Sequence, residues 1–247
     1  PFGDAEDLPP PIELPDPTEW RLASEYGPPD IVIGVPGITV PANGNDMWYR
    51  PLVPPELTKD RCIKAIQVKP GPNAASVVHH ANTTFQVLNE RGEYETAGRL
   101  SEYAMGKYAE IIPDGVCRPA PANSWVLWDI HLYPGGIGAV APGEEISGNV
   151  VEVGIWLHPE DYDAKYKQDL RLYASNDGEL IIPPHGSTMT VGYHTFDHPV
   201  RIDSFQPHGH LRLRHAALEI LYPETGEHEV VSMISNWSAT WHHSHVY

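Results

Sequence analysis

Fourteen of the 247 residues are histidine, and several stand close together in the chain. His79 and His80 are adjacent, His131 follows the apolar run VLWDI just ahead of a Pro-Gly-Gly turn, and His208 and His210 are separated by one residue. Imidazole is the commonest nitrogen donor to copper and zinc. Three histidines without cysteine or carboxylate suit a copper site, or a catalytic zinc site, that keeps a coordination position open. The spacing sets geometric conditions. Neighbouring strand residues face opposite sides, so His79 and His80 reach one ion only at a bulge or a strand end. His131, at the end of a strand before a tight turn, is a plausible third donor on a rigid scaffold. His208 and His210, at i and i+2, share one face of a strand and can chelate side by side. Each group also has a purely structural reading: a half-buried, hydrogen-bonded pair for His79 and His80, and an exposed edge strand for QPHGHLRLRH. His185, His194, His198, His215 and His228 lack such pairing and read as surface or structural imidazoles. The terminal WHHSHVY either extends a site or binds metal adventitiously, at a chain end where order is weakest.

Other chemistries find little support. There is no GxSxG elbow, neither cysteine sits in a nucleophile motif, and the acidic residues are too scattered to pick out a glycosidase-like pair. The formal charge of −17 repels nucleic acid phosphates and anionic membranes. No apolar run approaches the roughly 18 residues of a membrane span. Cys62 and Cys117 are the only cysteines, and the sequence leaves open one disulfide in an oxidising compartment or two buried thiols.

The elements that must position these histidines read as short strands. With 26 Pro and 21 Gly, and Val, Ile, Tyr and Trp in brief runs, the chain is all-β in character. Residues 1–19 are acidic and Pro-rich, an expected extended arm. IVIGVPGITV, MWYRPLV, RCIKAIQVKP, SVVHHANTTFQVL, WVLWDIHLYPGG and VVEVGIWLHP then predict a first set of strands over residues 20–160. PEDYDAKYKQ has weak helical character and suits a domain connection. DLRLYAS, ELIIPP, STMTVGYHTF, VRIDSFQPHGHLRLRH, AALEILYP and HEVVSMIS predict a second set over residues 161–247, with a hairpin tip at Glu224, Thr225 and Gly226.

Several stretches, in this order, resemble the type II copper, ascorbate-dependent monooxygenases, and their bacterial members most closely. They are MWYRPLVPPELTKDRCIKAIQVKPGPNAASVVHH, YAMGKYAEIIPDGVCRPAPANSWVLWDIHLYPGG, IIPPHGSTMTVGYHTF and FQPHGHLRLRHAALEILYPETGEHEVVSMISNWSATW, together spanning roughly residues 20 to 245. The resemblance implies two jelly-roll-like antiparallel β-sandwiches with a copper in each, facing one another across a cleft. One copper takes electrons from ascorbate or another reductant; the other binds dioxygen and hydroxylates a C–H bond of a small or peptidic substrate. VVHH and HLYPGG match the family's first copper and assign it His79, His80 and His131. PHGH assigns His208 and His210 to the second. The family's second copper also takes a Met from a strand well beyond the NW motif. Here the sequence reaches Tyr247 first, Met189 and Met233 do not match that position, and Leu213 stands where the family has a small residue. A thioether favours Cu(I), so a second site without it, in a sandwich lacking its last strands, puts turnover in question. The same scaffold without one or both metals implies an interaction subunit of an exported or membrane-associated assembly, partnered through the arm and the incomplete second sandwich. With the first metal alone it implies a one-copper electron-transfer protein. The expected location is periplasmic or extracellular.

Overall fold

The computed structural model describes residues 16–40, 45–54, 57–107, 109–134, 143–175, 180–238 and 244–247. A short helix α1 (Ala23–Tyr26) precedes strands β1 (Ile31–Pro36), β2 (Met47–Tyr49), β3 (Leu52–Val53), β4 (Arg61–Pro70) and β5 (Val78–Leu88). There follow β6 (Tyr94–Ala104), β7 (Glu110–Ile111), β8 (Val116–Ala120), β9 (Trp125–Leu132), β10 (Asn149–Leu157) and β11 (Tyr166–Lys167). The C-terminal part adds β12 (Ser204–Phe205), β13 (Ala216–Leu221), β14 (His228–Ile234) and β15 (His245–Val246).

The chain is an all-β sandwich. One sheet runs β1-β10-β4-β8-β11, with β7 also on β4; the other runs β2-β9-β5-β6, with β3 also on β9. Only the β8–β11 pairing in these two sheets is parallel. The alternation of β9 shows how the core forms. Val126, Trp128, Ile130 and Leu132 are fully buried, while Trp125, Leu127, Asp129 and His131 face outward. They pack with Ala81 and Phe85 of β5 and Leu100 of β6 against Ile63, Ile66 and Val68 of β4 and Val151, Val153 and Ile155 of β10.

β4 and β10 are buried almost throughout, because the N-terminal segment covers their outer face. Trp20, Leu22 and Tyr26 pack on Ala65 and Trp156, and Gly154 leaves the space Trp20 needs: a Cβ there would lie 2.7 Å from the indole. The Arg21 N–H donates to Gln67 Oε1 at 2.9 Å, and Gln67 Nε2 donates to the Glu19 carbonyl at 2.7 Å. Of the expected arm, residues 1–15 lie outside the described residues, and residues 16–19 lead into this docked segment.

Cys62 and Cys117 form a disulfide between β4 and β8, closing a loop with a sequence separation of 55. Chain-entropy reasoning makes this bond worth about 4 kcal/mol. A Cys62→Ser/Cys117→Ser double variant is therefore expected to lose stability of about that size in denaturant unfolding.

Three readings of secondary structure need correction. Residues 159–168 form no helix; they make a turn and β11, and Tyr162 stacks on His158 with ring centroids 3.6 Å apart. β6 forms although YETAGRLSEYA carries Gly98 and charged residues that strands normally disfavour and so gives no strand signal. Its pairing with β5 from His80 to Leu88 overrides that local preference. Finally, DLRLYAS, the described LIIPP of ELIIPP, and STMTVGYHTF run as irregular, mostly exposed chain, as does the PHGHLRLRH part of VRIDSFQPHGHLRLRH. Tyr173 meets His194 at 4.4 Å and Ser175 bonds Thr190 at 3.0 Å, but among the described residues no ladder joins these segments. A strand gains stability from a paired neighbour and a covered face, which alternation in sequence does not supply. The hairpin β13–β14 does form at its expected tip, where Gly226 takes φ +70°.

Candidate metal centre

The adjacent histidines meet their geometric condition through a β-bulge. Val78 pairs with Leu132 and His80 with His131, so β5 spends one extra residue, His79, where β9 spends none. Two histidines thus oppose one, and the local kink re-aims a side chain that a regular strand would turn inward. Trp48 of β2 pairs with His131 from the other side. One row across three strands therefore carries Trp48, His131 and His80, with His79 beside it.

The three imidazoles converge. One ring nitrogen of each lies within 4.8 Å of the others, and the ring centroids are 5.0 to 5.3 Å apart. His79 Nδ1 and His80 Nδ1 are 3.0 Å apart, so at most one proton fits between two nitrogens aimed at the same point. All three rings are half-buried. Burial, then the charge of His131, lowers the pKa of His79; Asp46 opposes this, while His208 and His210 add to it. A neutral ring is the form that binds metal.

Asp46 and Trp48 complete the setting. Asp46 Oδ2 lies 2.9 Å from His131 Nε2, so in the neutral ring, the form that binds metal, the proton sits on Nε2 and Nδ1 keeps its lone pair. Nδ1 of His131 is buried and has no hydrogen-bond partner. A buried acceptor costs free energy until something occupies it, and a cation shared with His79 and His80 does so. Carboxylate orientation of a ligating histidine is a recurrent outer-shell device. The indole of Trp48 stacks on His131 at 4.4 Å, with planes 5° apart, and stands edge-on to His80 at 5.4 Å. Trp48 is 48% exposed, and the Arg50 guanidinium lies over its ring at 5.4 Å. The cluster can hold a metal ion. Asp46 and Trp48 were missed in the sequence, although their i, i+2 spacing at the start of MWYR is the available signal that they share a face. Asp46→Ala is expected to weaken metal binding by about tenfold, the lower end for an outer-shell partner because Asp46 is exposed. A chelator-competition titration measures it.

His208 and His210 do not lie on a strand, contrary to the expectation from their spacing; the chain there is irregular. Their rings nevertheless meet, perpendicular, with centroids 5.6 Å apart. Gly209 between them has Leu213 against it, and a Cβ would lie 2.4 Å from that side chain. Partial desolvation lowers the pKa of His208, with the Glu102 carboxylate pulling the other way. Among the described residues, the first three histidines are the group whose ring nitrogens come together as a metal-binding set. His185, His194, His198, His215 and His228 are all exposed, in agreement with their surface reading. Of the terminal cluster, His242 and His243 lie outside the described residues, while His245 sits in β15.

No helix among the described residues is long and apolar enough to cross a membrane. The chain matches no model of a known protein family, and it matches none of the curated proteins.

Proposed function

We propose that this chain is an exported copper protein built on the scaffold of the ascorbate-dependent monooxygenases, with His79, His80 and His131 as its electron-transfer site. One observation carries the reading: a bulge sets two imidazoles against a third whose buried Nδ1 has no protein partner. An all-imidazole donor set suits copper and excludes the oxygen-seeking Mg²⁺ and Ca²⁺. Copper, when bound, supplies one-electron redox chemistry here and, with a second ion at His208 and His210, the reaction of dioxygen with a C–H bond of a small or peptidic substrate. The protein's own groups do the positioning. Asp46 holds the His131 proton on Nε2, Trp48 restrains the ring from one face, and buried Val78, Ile130 and Leu132 keep water from behind the centre. Ascorbate or another small reductant reaches the centre from the exposed Trp48 side. The Cys62–Cys117 bond fits a periplasmic or extracellular location.

A second reading has its own observation. Among the described residues between β11 and β12, none joins a sheet, and Leu172, Ile181, Met189 and Tyr193 lie on the surface. That favours a non-catalytic subunit whose partner covers this chain, or a carrier with one copper. Elemental analysis with electron paramagnetic resonance separates these. Two coppers per chain and ascorbate-dependent dioxygen uptake support the monooxygenase; one copper reduced by ascorbate without uptake supports the carrier. Failure to take up copper at the three-histidine centre would overturn the proposal.

A further inference from the structure

The outer face of the second sheet carries two adjacent rows. One is His131–His80–Ala104 across β9, β5 and β6; the next is Asp129–Asn82–Glu102 on the same strands. Glu102 therefore stands one row from the metal centre. Its carboxylate pairs with two cations, Arg99 Nη2 at 3.7 Å and Lys107 Nζ at 3.9 Å, while Arg99 also donates to Asn82 Oδ1 at 3.1 Å. A carboxylate so restrained is a preorganised acceptor. It receives the side-chain amide of Gln206, a residue 104 positions away in sequence. Gln206 is itself fixed, because Ser244 Oγ donates to its Oε1 at 2.8 Å and β15 pairs with β12 immediately before it. Two residues after Gln206 comes His208, and two further on His210. Irregular chain has no ladder to hold it, so this contact does the work that a strand would do.

We propose that Glu102, through Gln206, is a positioning residue that latches the His208–His210 segment onto the outer face of the second sheet beside the His79, His80 and His131 centre. The function assigned to the latch rests on the reading of His208 and His210 as a second copper pair, but its existence does not.

Gln206→Ala removes the donor while leaving the Arg99, Glu102 and Lys107 cluster intact. Hydrogen exchange monitored by mass spectrometry is expected to show residues 204–210 losing protection by about tenfold or more, the scale of one charge-assisted bond, with the 78–88 strand unchanged. Glu102→Ala should match it, and Glu102→Gln, which keeps an acceptor oxygen, should restore much of the protection. Unchanged protection in Gln206→Ala overturns the latch. In the copper-loaded protein, pulsed paramagnetic resonance should give one narrow Cu(II)–Cu(II) distance that broadens in Gln206→Ala, while copper at the first centre stays bound. Wild-type protein with a single copper would refute the second pair and leave the exchange result to decide the latch by itself.

Discussion

A His131→Ala variant is expected to lose metal at the three-histidine centre, with a larger effect than any change to the residues that surround the three ligands. Loss of an outer-shell partner costs about 10- to 100-fold in affinity, and loss of a ligand removes a bond directly, so binding should fall beyond that range. The apo protein tells a different story. His131 Nδ1 is a buried acceptor without a partner, so truncating the ring removes an unfavourable group along with some packing against Trp48. Apo stability should change by about 1 kcal/mol or less, whereas the rise in Tm that copper confers on the wild type should vanish. Titration calorimetry and thermal unfolding with and without Cu(II) make the comparison, and His185→Ala, on the surface, is the control. Tight stoichiometric binding in His131→Ala would show that the three rings do not share an ion.

The second large effect lies in the network around Glu110. Its carboxylate meets Arg118 at 2.8 Å and Lys107 at 3.0 Å, and accepts from Ser101; the Arg118 and Lys107 side chains are only 6% and 8% exposed. Removing the one anion both cations share leaves buried charge uncompensated, which costs about 3–5 kcal/mol, so Glu110→Ala should be severely destabilised. Burial alone would raise the pKa of Glu110, but the charges of Lys107 and Arg118 and the bond from Ser101 override it and hold the group at about 2, from an ordinary 4.5. A folded-state value below the unfolded one means stability that is complete above 4.5 and is lost as pH falls toward 2. The depression corresponds to about 3 kcal/mol. Denaturant unfolding between these pH values should therefore show a steeper acid loss in the wild type than in Glu110→Gln, and equal slopes would rule out the pairing.

The network matters for more than stability. Lys107 joins Glu110 to Glu102, and Arg118 joins Glu110 to Gln168, whose amide donates to Asp203 at 2.8 Å just before β12. The same buried charges that steady the sandwich thus reach the chain just ahead of His208 and His210 at two points, Asp203 and Gln206.

Much of this was readable from the chain itself. Alternation in CIKAIQV and the apolar run VLWDI ahead of a Pro-Gly-Gly turn are local properties, so β4 and β9 as strands followed from residue order alone, whereas burial of both faces of β4 needed the N-terminal segment packed on it. The adjacency of His79 and His80 likewise stated its own requirement, a bulge or a strand end. Which of these occurs is a matter of register between β5 and β9, and register belongs to two strands, not one. The same holds for the Cys62–Cys117 bond, which needs β4 and β8 to be neighbours, and for β6, whose polar sequence becomes a strand only against β5. Asp46, Trp48, Glu102 and Gln206 carry no motif; distant pairing alone brings them to the histidines. Residue types and spacing determined which side chains could bind metal and the alternation that turns each strand's faces. Tertiary pairing decided which of those side chains meet, because hydrogen-bonded register across strands sets distances that no single segment encodes.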